Sequence, residues 1–144
     1  MHKFSKAHEL LKEHFNKDII INLSPSHGYR SRCEFGYRNG YYTMYDEESN
    51  RINLTTFQVA RPIISDLMPK LLNLINNKDE LNNKLFQINF RANSSNKVLV
   101  TLIYHKKLDE KIKVQAECLS KSLKISLILR SKNDIFYSND DLLE

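Results

Sequence analysis

The sequence predicts an α+β fold, a mostly antiparallel sheet with helices packed on one face. Two kinds of segment predict it. Short runs rich in β-branched and aromatic residues are separated by polar turns, which is typical of antiparallel strands. Three longer segments carry apolar residues at helical spacing. Their order is helix, several strands, helix, strand hairpin, helix and strand. Because strands and helices do not alternate one by one, this order favours layered α+β packing over an α/β fold.

The chain has 144 residues, which is the size of one domain with a single modest core. A hydrophobic fraction of 41% favours a folded protein over a disordered one. The 22 Lys and Arg against 17 Asp and Glu give a net charge of +5, a mild excess that suits nucleic acid or an anionic membrane without establishing either.

Neither membrane insertion nor secretion is expected. No apolar run approaches the ~20 residues that cross a bilayer, and no apolar signal-peptide region follows the start. Cys33 and Cys118 lie far apart, and the five histidines show no metal-ligand spacing. We therefore expect no disulfide, no metal and a cytoplasmic location.

The N-terminal quarter predicts a helix and a short strand. Residues 5–16 form the helix, with an apolar stripe of Leu10, Leu11 and Phe15. The β-branched run over 19–23 predicts a strand that stops before Pro25, because a proline restricts the residue that precedes it.

A hairpin is predicted next. Asn39-Gly40 separates two strand-like runs, 29–38 and 41–46, and both turn residues tolerate the positive φ of a type I′ turn. A polar turn then leads to a short strand over 51–55.

The second half predicts two helices and three strands. The helix over 60–76 contains Pro69, where we expect a kink or a break. Its predicted buried residues are Ile63, Ile64, Leu67, Leu71, Leu74 and Ile75. A polar loop over 76–83 precedes the remaining elements. These are strands over 85–91 and 98–104, a helix over 108–123 and a last strand over 125–129.

Alternation along the first hairpin predicts one basic, aromatic face and one core face. Side chains alternate across a strand, so one face carries Arg30, Arg32, Glu34 and Arg38, opposite Tyr41 and Tyr45. The core face carries Cys33, Phe35 and Tyr37, joined by Tyr42 and Met44. Arginine binds phosphate in bidentate fashion, and Arg and Tyr planes stack on unpaired bases. The alternative is an ordinary solvated face with cross-strand pairs.

His105 and Phe86 are two further positions that admit alternative interpretations. His105 ends an apolar strand and is followed by Lys106 and Lys107, so it could stack on a base, or it could simply close the strand. Phe86 shares a strand face with Ile88 and Phe90, and this spacing favours the core.

Enzyme signatures are missing from the sequence. The only glycines are Gly28, Gly36 and Gly40, and none forms a Gly-rich phosphate or dinucleotide loop. Neither cysteine is next to a histidine, the usual general base for a catalytic thiol. The residues therefore predict a binding domain without a cofactor site or catalytic residues.

Three ordered motifs resemble the bacterial tRNA (uracil-5-)-methyltransferases. Residues 22–35, NLSPSHGYRSRCEF, resemble Ser-Pro followed by Tyr-Arg-x-Arg-Ala-Glu-Phe. Residues 84–90, KLFQINF, resemble the Lys-Leu-Phe-Gln strand, and residues 100–109, VTLIYHKKLD, resemble Leu-Leu-Tyr-His-x-x-Leu-Asp. The sequence departs from the family at Gly28, Cys33 and Gly36, where His, Ala and often Arg are usual.

The resemblance implies a role in RNA recognition. Members of this family methylate C5 of the T-loop uridine of tRNA with S-adenosylmethionine, and their cofactor and nucleophile lie downstream of these motifs. It also implies that Phe86 and His105 stack against the refolded T-arm. For Phe86, we prefer this interpretation to the core position that its spacing predicts. The candidate RNA-binding residues are Tyr29, Arg30, Arg32, Arg38, Tyr41, Phe86, His105, Lys106 and Lys107.

We therefore predict an N-terminal tRNA-recognition domain over 1–137 that is inactive alone. The acidic residues 138–144 would begin a connection to an absent catalytic domain. The alternative is a protein-interaction or structural module, or a degraded gene product, that keeps the fold without binding RNA.

Overall fold

The computed structural model describes residues 4–15 and 17–139. Within them, the helices and strands in chain order are α1 (Ser5–His14), β1 (Arg32–Arg38), β2 (Tyr41–Tyr45), β3 (Arg51–Leu54), α2 (Pro62–Ser65), α3 (Leu67–Asn76), α4 (Asp79–Asn82), β4 (Leu85–Ala92), β5 (Val98–Tyr104), α5 (Glu110–Leu123), β6 (Ser126–Arg130) and β7 (Ile135–Tyr137).

The seven strands form one sheet in the order β3-β2-β1-β4-β5-β6-β7. Neighbours are antiparallel except β5 and β6, which are parallel and are joined through α5. A parallel pair needs such a crossover, whereas antiparallel pairs can be joined by tight turns. The predicted α+β class with a mostly antiparallel sheet is confirmed.

The first hairpin has the predicted register. Arg38 pairs with Tyr41, and Gly36 pairs with Thr43. The turn residues Asn39 and Gly40 have φ values of 52° and 80°, as a type I′ turn requires. The side-chain amide of Asn76, at the end of α3, donates to the Gly40 carbonyl at 2.9 Å and fixes the turn against the helical layer.

One face of the sheet packs against α2, α3 and α5 to form the core. The buried strand residues of this core are Cys33, Phe35, Tyr42, Leu85, Ile88, Phe90, Ala92, Val98, Val100, Leu102, Tyr104, Leu127 and Leu129. Two buried hydroxyls are satisfied by helix carbonyls: Tyr42 donates to Met68 O at 2.8 Å, and Tyr104 donates to Leu81 O at 2.7 Å.

We call the opposite side of the sheet the open face. None of its described strand side chains is buried. Alternation and strand register assign to it Arg32, Glu34, Arg38, Tyr41, Thr43, Tyr45, Arg51, Asn53, Gln87, Asn89, Arg91, Leu99, Thr101, Ile103, Ser126, Ile128, Arg130, Ile135 and Tyr137. One helical layer and one open face therefore make up the domain.

The N-terminal predictions are partly wrong. The helix is present as α1, but it buries no residue, and its stripe of Leu10, Leu11 and Phe15 is exposed. Residues 19–23 form no strand. β-branched composition alone does not make a strand, because the backbone also needs a partner strand for its hydrogen bonds. The predicted last helical residue, 16, lies outside the described residues.

The predicted helix over 60–76 breaks at Asp66 rather than at Pro69. Pro69 is the third residue of α3, where a backbone N–H has no acceptor within the helix in any case. Ile63 was expected in the core but is 37% exposed, and Met68 and Leu72 are buried instead.

Two short elements and the start of one strand also differ from the sequence prediction. The predicted loop over 76–83 contains the single turn α4, and β7 was missed altogether. The first strand begins at Arg32 instead of residue 29. Before it, Arg30 forms an isolated parallel bridge with Ala60.

Candidate nucleic-acid interface

A β-bulge at Phe86 sets the geometry of the candidate site. Leu85 pairs with Tyr104, but the next pair is Gln87 with Ile103, so β4 has one residue more than β5 at this point. The extra residue shifts the alternation, and both Leu85 and Ile88 face the core. Phe86 is consequently 49% exposed, contrary to the core position that its spacing predicts.

The exposed Phe86 ring stacks on His105. The ring centroids lie 4.3 Å apart with an interplanar angle of 19°. The backbone N–H of His105 donates to the Lys84 carbonyl at 2.9 Å, which joins the end of β5 to the start of β4. Because Phe86 and His105 are both exposed, the pair presents flat surface to solvent.

The two lysines after His105 have different surroundings. Lys106 Nζ donates to the Glu80 carbonyl at 2.8 Å and lies 5.3 Å from the Tyr104 ring centroid. Burial lowers the pKa of Lys106, and the charges of Asp109 and Glu80 oppose that effect. Lys107 is exposed. Lys106 is therefore partly engaged by the protein, whereas Lys107 points its charge to solvent.

A groove lies beside the stack, at the C-terminal ends of β5 and β6. Its volume is about 990 Å³, and its lining includes Ile103, His105, Lys107, Arg130 and Lys132. Sequence reasoning missed Arg130 and Lys132. Only the parallel pairing of β5 with β6, which puts Arg130 next to Ile103, brings them to this place.

The first hairpin contributes cations and a ring to the open face. Arg32, Arg38 and Tyr41 are exposed there, as expected. Arg32 Nη2 donates to Glu34 Oε1 at 2.7 Å. Across the ladder, Arg32 pairs with Arg91, a cation that the sequence reasoning also missed.

Tyr29 and Arg30 are exposed and lie outside the strands of the sheet. Both precede β1, and their backbone N–H groups donate to the Val59 carbonyl at 3.1 and 3.0 Å. Burial raises the pKa of the Cys33 thiol, and the Arg30 charge opposes that rise. Arg30 itself is exposed, and its backbone forms an isolated bridge with Ala60 instead of a pair within β1.

The described residues contain no candidate metal site. Among residues 4–15 and 17–139, no three His, Cys, Asp or Glu side chains are placed to hold a metal ion. Gly28 and Gly40 have positive φ in loops, and Gly36 lies inside β1, so none forms a strand-to-helix turn that would admit a nucleotide cofactor. No helix within the described part is long and apolar enough to span a membrane.

The fold and this surface define a class: an α+β domain with cations and exposed aromatic rings on and beside an open sheet, as in modules that bind unpaired nucleic acid. Residues 1–144 match the family described as tRNA (Uracil-5-)-methyltransferase. The chain belongs to this family.

Two curated relatives align with most of the chain, whereas the chain spans less than half of the length of either. The tRNA/tmRNA (uracil-C(5))-methyltransferase of Proteus mirabilis is 38% identical over 134 residues, covering 85% of this chain and 37% of that protein. The same-named protein of Aliarcobacter butzleri is 33% identical over 151 aligned residues, covering 99% of this chain and 40% of its own length.

A solved structure supports the fold. The Pyrococcus abyssi tRNA (uracil-54, C5)-methyltransferase, in complex with S-adenosyl-L-homocysteine, superposes with a TM-score of 0.53 at 14% identity. The match covers 77% of this chain and 30% of the archaeal chain. At this identity, the likeness concerns the fold alone.

Proposed function

We propose that this chain is the N-terminal RNA-recognition part of a tRNA (uracil-5-)-methyltransferase and that it binds the T-arm of tRNA. The observation that carries the proposal is the exposed Phe86–His105 stack, which the β4 bulge turns out of the core. Family membership and the cations around the stack support it.

The stack would bind unpaired bases of the T-arm. An enzyme that modifies a base must take it out of the stack, at a cost of a few kcal/mol that aromatic contacts offset. Phe86 and His105 already hold each other parallel, so little side-chain freedom is lost when a base stacks on them. Arg38 and Lys107 would bind phosphates near the stack, and Arg32, which pairs with Arg91 toward the other end of β4, would bind phosphates farther along the sheet.

Methyl transfer would need residues outside this chain. None of the three glycines forms a strand-to-helix cofactor loop, which supports a binding site for S-adenosylmethionine outside the described residues. We propose that the cofactor and the catalytic domain lie beyond a connection that follows Ser138, whose backbone N–H donates to the Leu127 carbonyl at 2.9 Å; residues 140–144 lie outside the described part. The purified chain alone should transfer no labelled methyl group to tRNA, and incorporation above background would contradict this assignment.

The proposed setting is the cytoplasm, where tRNA is modified. Both described cysteines, the buried Cys33 and the exposed Cys118, are free thiols, which fits a reducing compartment.

The test is a comparison of two RNA hairpins of equal length. Fluorescence anisotropy with a T-arm hairpin and an anticodon-arm hairpin should give tighter binding to the T-arm at every salt concentration. Equal affinities for the two hairpins would show that the protein attracts RNA only non-specifically. Absence of binding to both would favour the competing function, a protein-interaction module, to which the half-buried Leu99, Ile103 and Ile128 on the open face are suited.

A further inference from the structure

The groove at the ends of β5 and β6 is formed by two diverging segments. The two strands are parallel, so their C-terminal ends lie together, and Ile103 pairs with Arg130 at the last step of the ladder. Beyond that pair, residues 105–107 and 131–134 form the two walls. The volume of about 990 Å³ is large enough for a ligand cleft.

Positive charge dominates this groove. Its lining carries Lys106, Lys107, Arg130 and Lys132 against one carboxylate, that of Asp134. Within the described residues, neither Lys107, Arg130 nor Lys132 forms an ion pair. The Asp134 charge also acts on Lys113, outside the groove. Clustered like charges repel each other, and an anionic ligand would relieve that repulsion.

The position of the groove indicates which anion it would take. His105 belongs both to the groove lining and to the stack with Phe86. A nucleotide whose base lies on the stack therefore has its neighbouring phosphates at the mouth of the groove. Arg130 can hold a phosphate through two parallel N–H donors, and Lys132 adds a point charge.

We infer that Arg130 and Lys132 bind backbone phosphates of the RNA strand that flanks the base stacked on Phe86 and His105. The inference rests on the proposed function and adds to it a second wall of the RNA site, contributed by β6 and the turn that precedes β7. The ligand class is a single-stranded RNA backbone.

The salt dependence of RNA binding distinguishes the contribution of Arg130 and Lys132 from that of Phe86 and His105. Arg130→Ala/Lys132→Ala removes two cations from the groove, and Lys111→Ala/Lys121→Ala removes two exposed cations from α5, on the helical side. Both double variants lower the net charge equally. For T-arm hairpin binding, the groove variant should flatten the log–log salt slope by between one and two units, because each phosphate contact contributes about 0.7 in single strands.

The control should keep the wild-type slope, whereas Phe86→Ala should weaken binding with an unchanged slope. If the groove variant behaves like the control while Phe86→Ala still weakens binding, the inference is wrong and the proposed function stands. If wild type does not bind the hairpin, both fail. Inorganic phosphate provides a further arm: if it raises the Tm of wild type as much as the hairpin does, the groove is a free-anion site and the inference is overturned.

Discussion

Phe86 and Phe90 lie four residues apart on β4, yet 49% of one and 1% of the other is exposed. Phe90 packs in an aromatic cluster with Phe35 and Tyr42, at centroid distances of 6.3 and 5.8 Å. Phe86 has the His105 ring as its stacking partner. One bulge thus gives two phenylalanines on the same strand different physical roles.

Truncating the two phenylalanines should therefore have opposite consequences. Phe86→Ala and His105→Ala should leave stability near that of wild type and weaken T-arm binding by about 1–3 kcal/mol for each lost base stack. Phe90→Ala, the matched control on the same strand, should cost about 3–5 kcal/mol of stability, because it opens a cavity in the core.

Urea unfolding of each variant, beside its hairpin affinity, checks this prediction. A Phe86→Ala protein as unstable as Phe90→Ala would show that the Phe86 ring supports the fold. If Phe86→Ala and His105→Ala are stable and bind like wild type, the stacking role is wrong.

Sequence alternation could not place Phe86, because a bulge has no fixed sequence signature and shifts every later side chain by one. The family resemblance singled Phe86 out as a ring that stacks on RNA, and the exposed position suits that role without testing it. Arg130, Lys132 and Arg91 were missed for another reason. Their significance depends on which strands become neighbours, and that is a property of the sheet.

Strands β1 and β4 place like charges side by side. Arg32 and Arg91 are direct cross-strand partners, an arrangement that destabilises a sheet unless something compensates. The Glu34 carboxylate compensates part of it through its 2.7 Å ion pair with Arg32. Because the side chains of this pair are exposed, its contribution to stability is small.

Arg32→Ala and Arg38→Ala should each flatten the salt slope of T-arm binding by about one unit. The wild-type slope itself should be about −2 to −4, for roughly 3–5 neutralised phosphates. Lys70→Ala on α3, exposed on the helical side, is the control and should change the slope little. Anisotropy titrations at several salt concentrations measure the slopes. Unchanged slopes in both arginine variants would show that the β1–β2 hairpin of the protein lies outside the RNA-binding surface.

Local signals predicted the elements that are locally determined. Asn39-Gly40 gave the hairpin and its register, and the apolar run 98–104 matches β5. The strand predicted over 19–23 is absent because these residues do not pair with another strand. No local sequence pattern guarantees such pairing. β7 has only three residues, too few for a pattern, and it exists through pairing with β6.

For the whole molecule, two buried tyrosines link stability to pH. Burial raises the pKa of Tyr42 and of Tyr104 well above the ordinary value near 10. In the unfolded chain both hydroxyls ionise near pH 10, so their stabilisation is complete below that pH and decreases as the pH rises further.

The free energy of unfolding should therefore fall steeply above pH 10, and less steeply in Tyr104→Phe, which cannot ionise. At pH 7 this variant should lose about 1 kcal/mol, because Leu81 O loses its hydrogen bond. Tyr45→Phe, an exposed site, is the control. Urea unfolding from pH 8 to 11 measures all three, and identical pH profiles for wild type and Tyr104→Phe would contradict the linkage.

RNA should contact the open face where β4 begins and β5 ends, around Phe86 and His105, and not the helical layer. Photocrosslinking with a T-arm hairpin that carries 4-thiouridine in its loop measures this. We predict crosslinks to peptides that contain Phe86 or His105. Crosslinks confined to peptides of α3 and α5, or spread evenly over the chain, would contradict the claim.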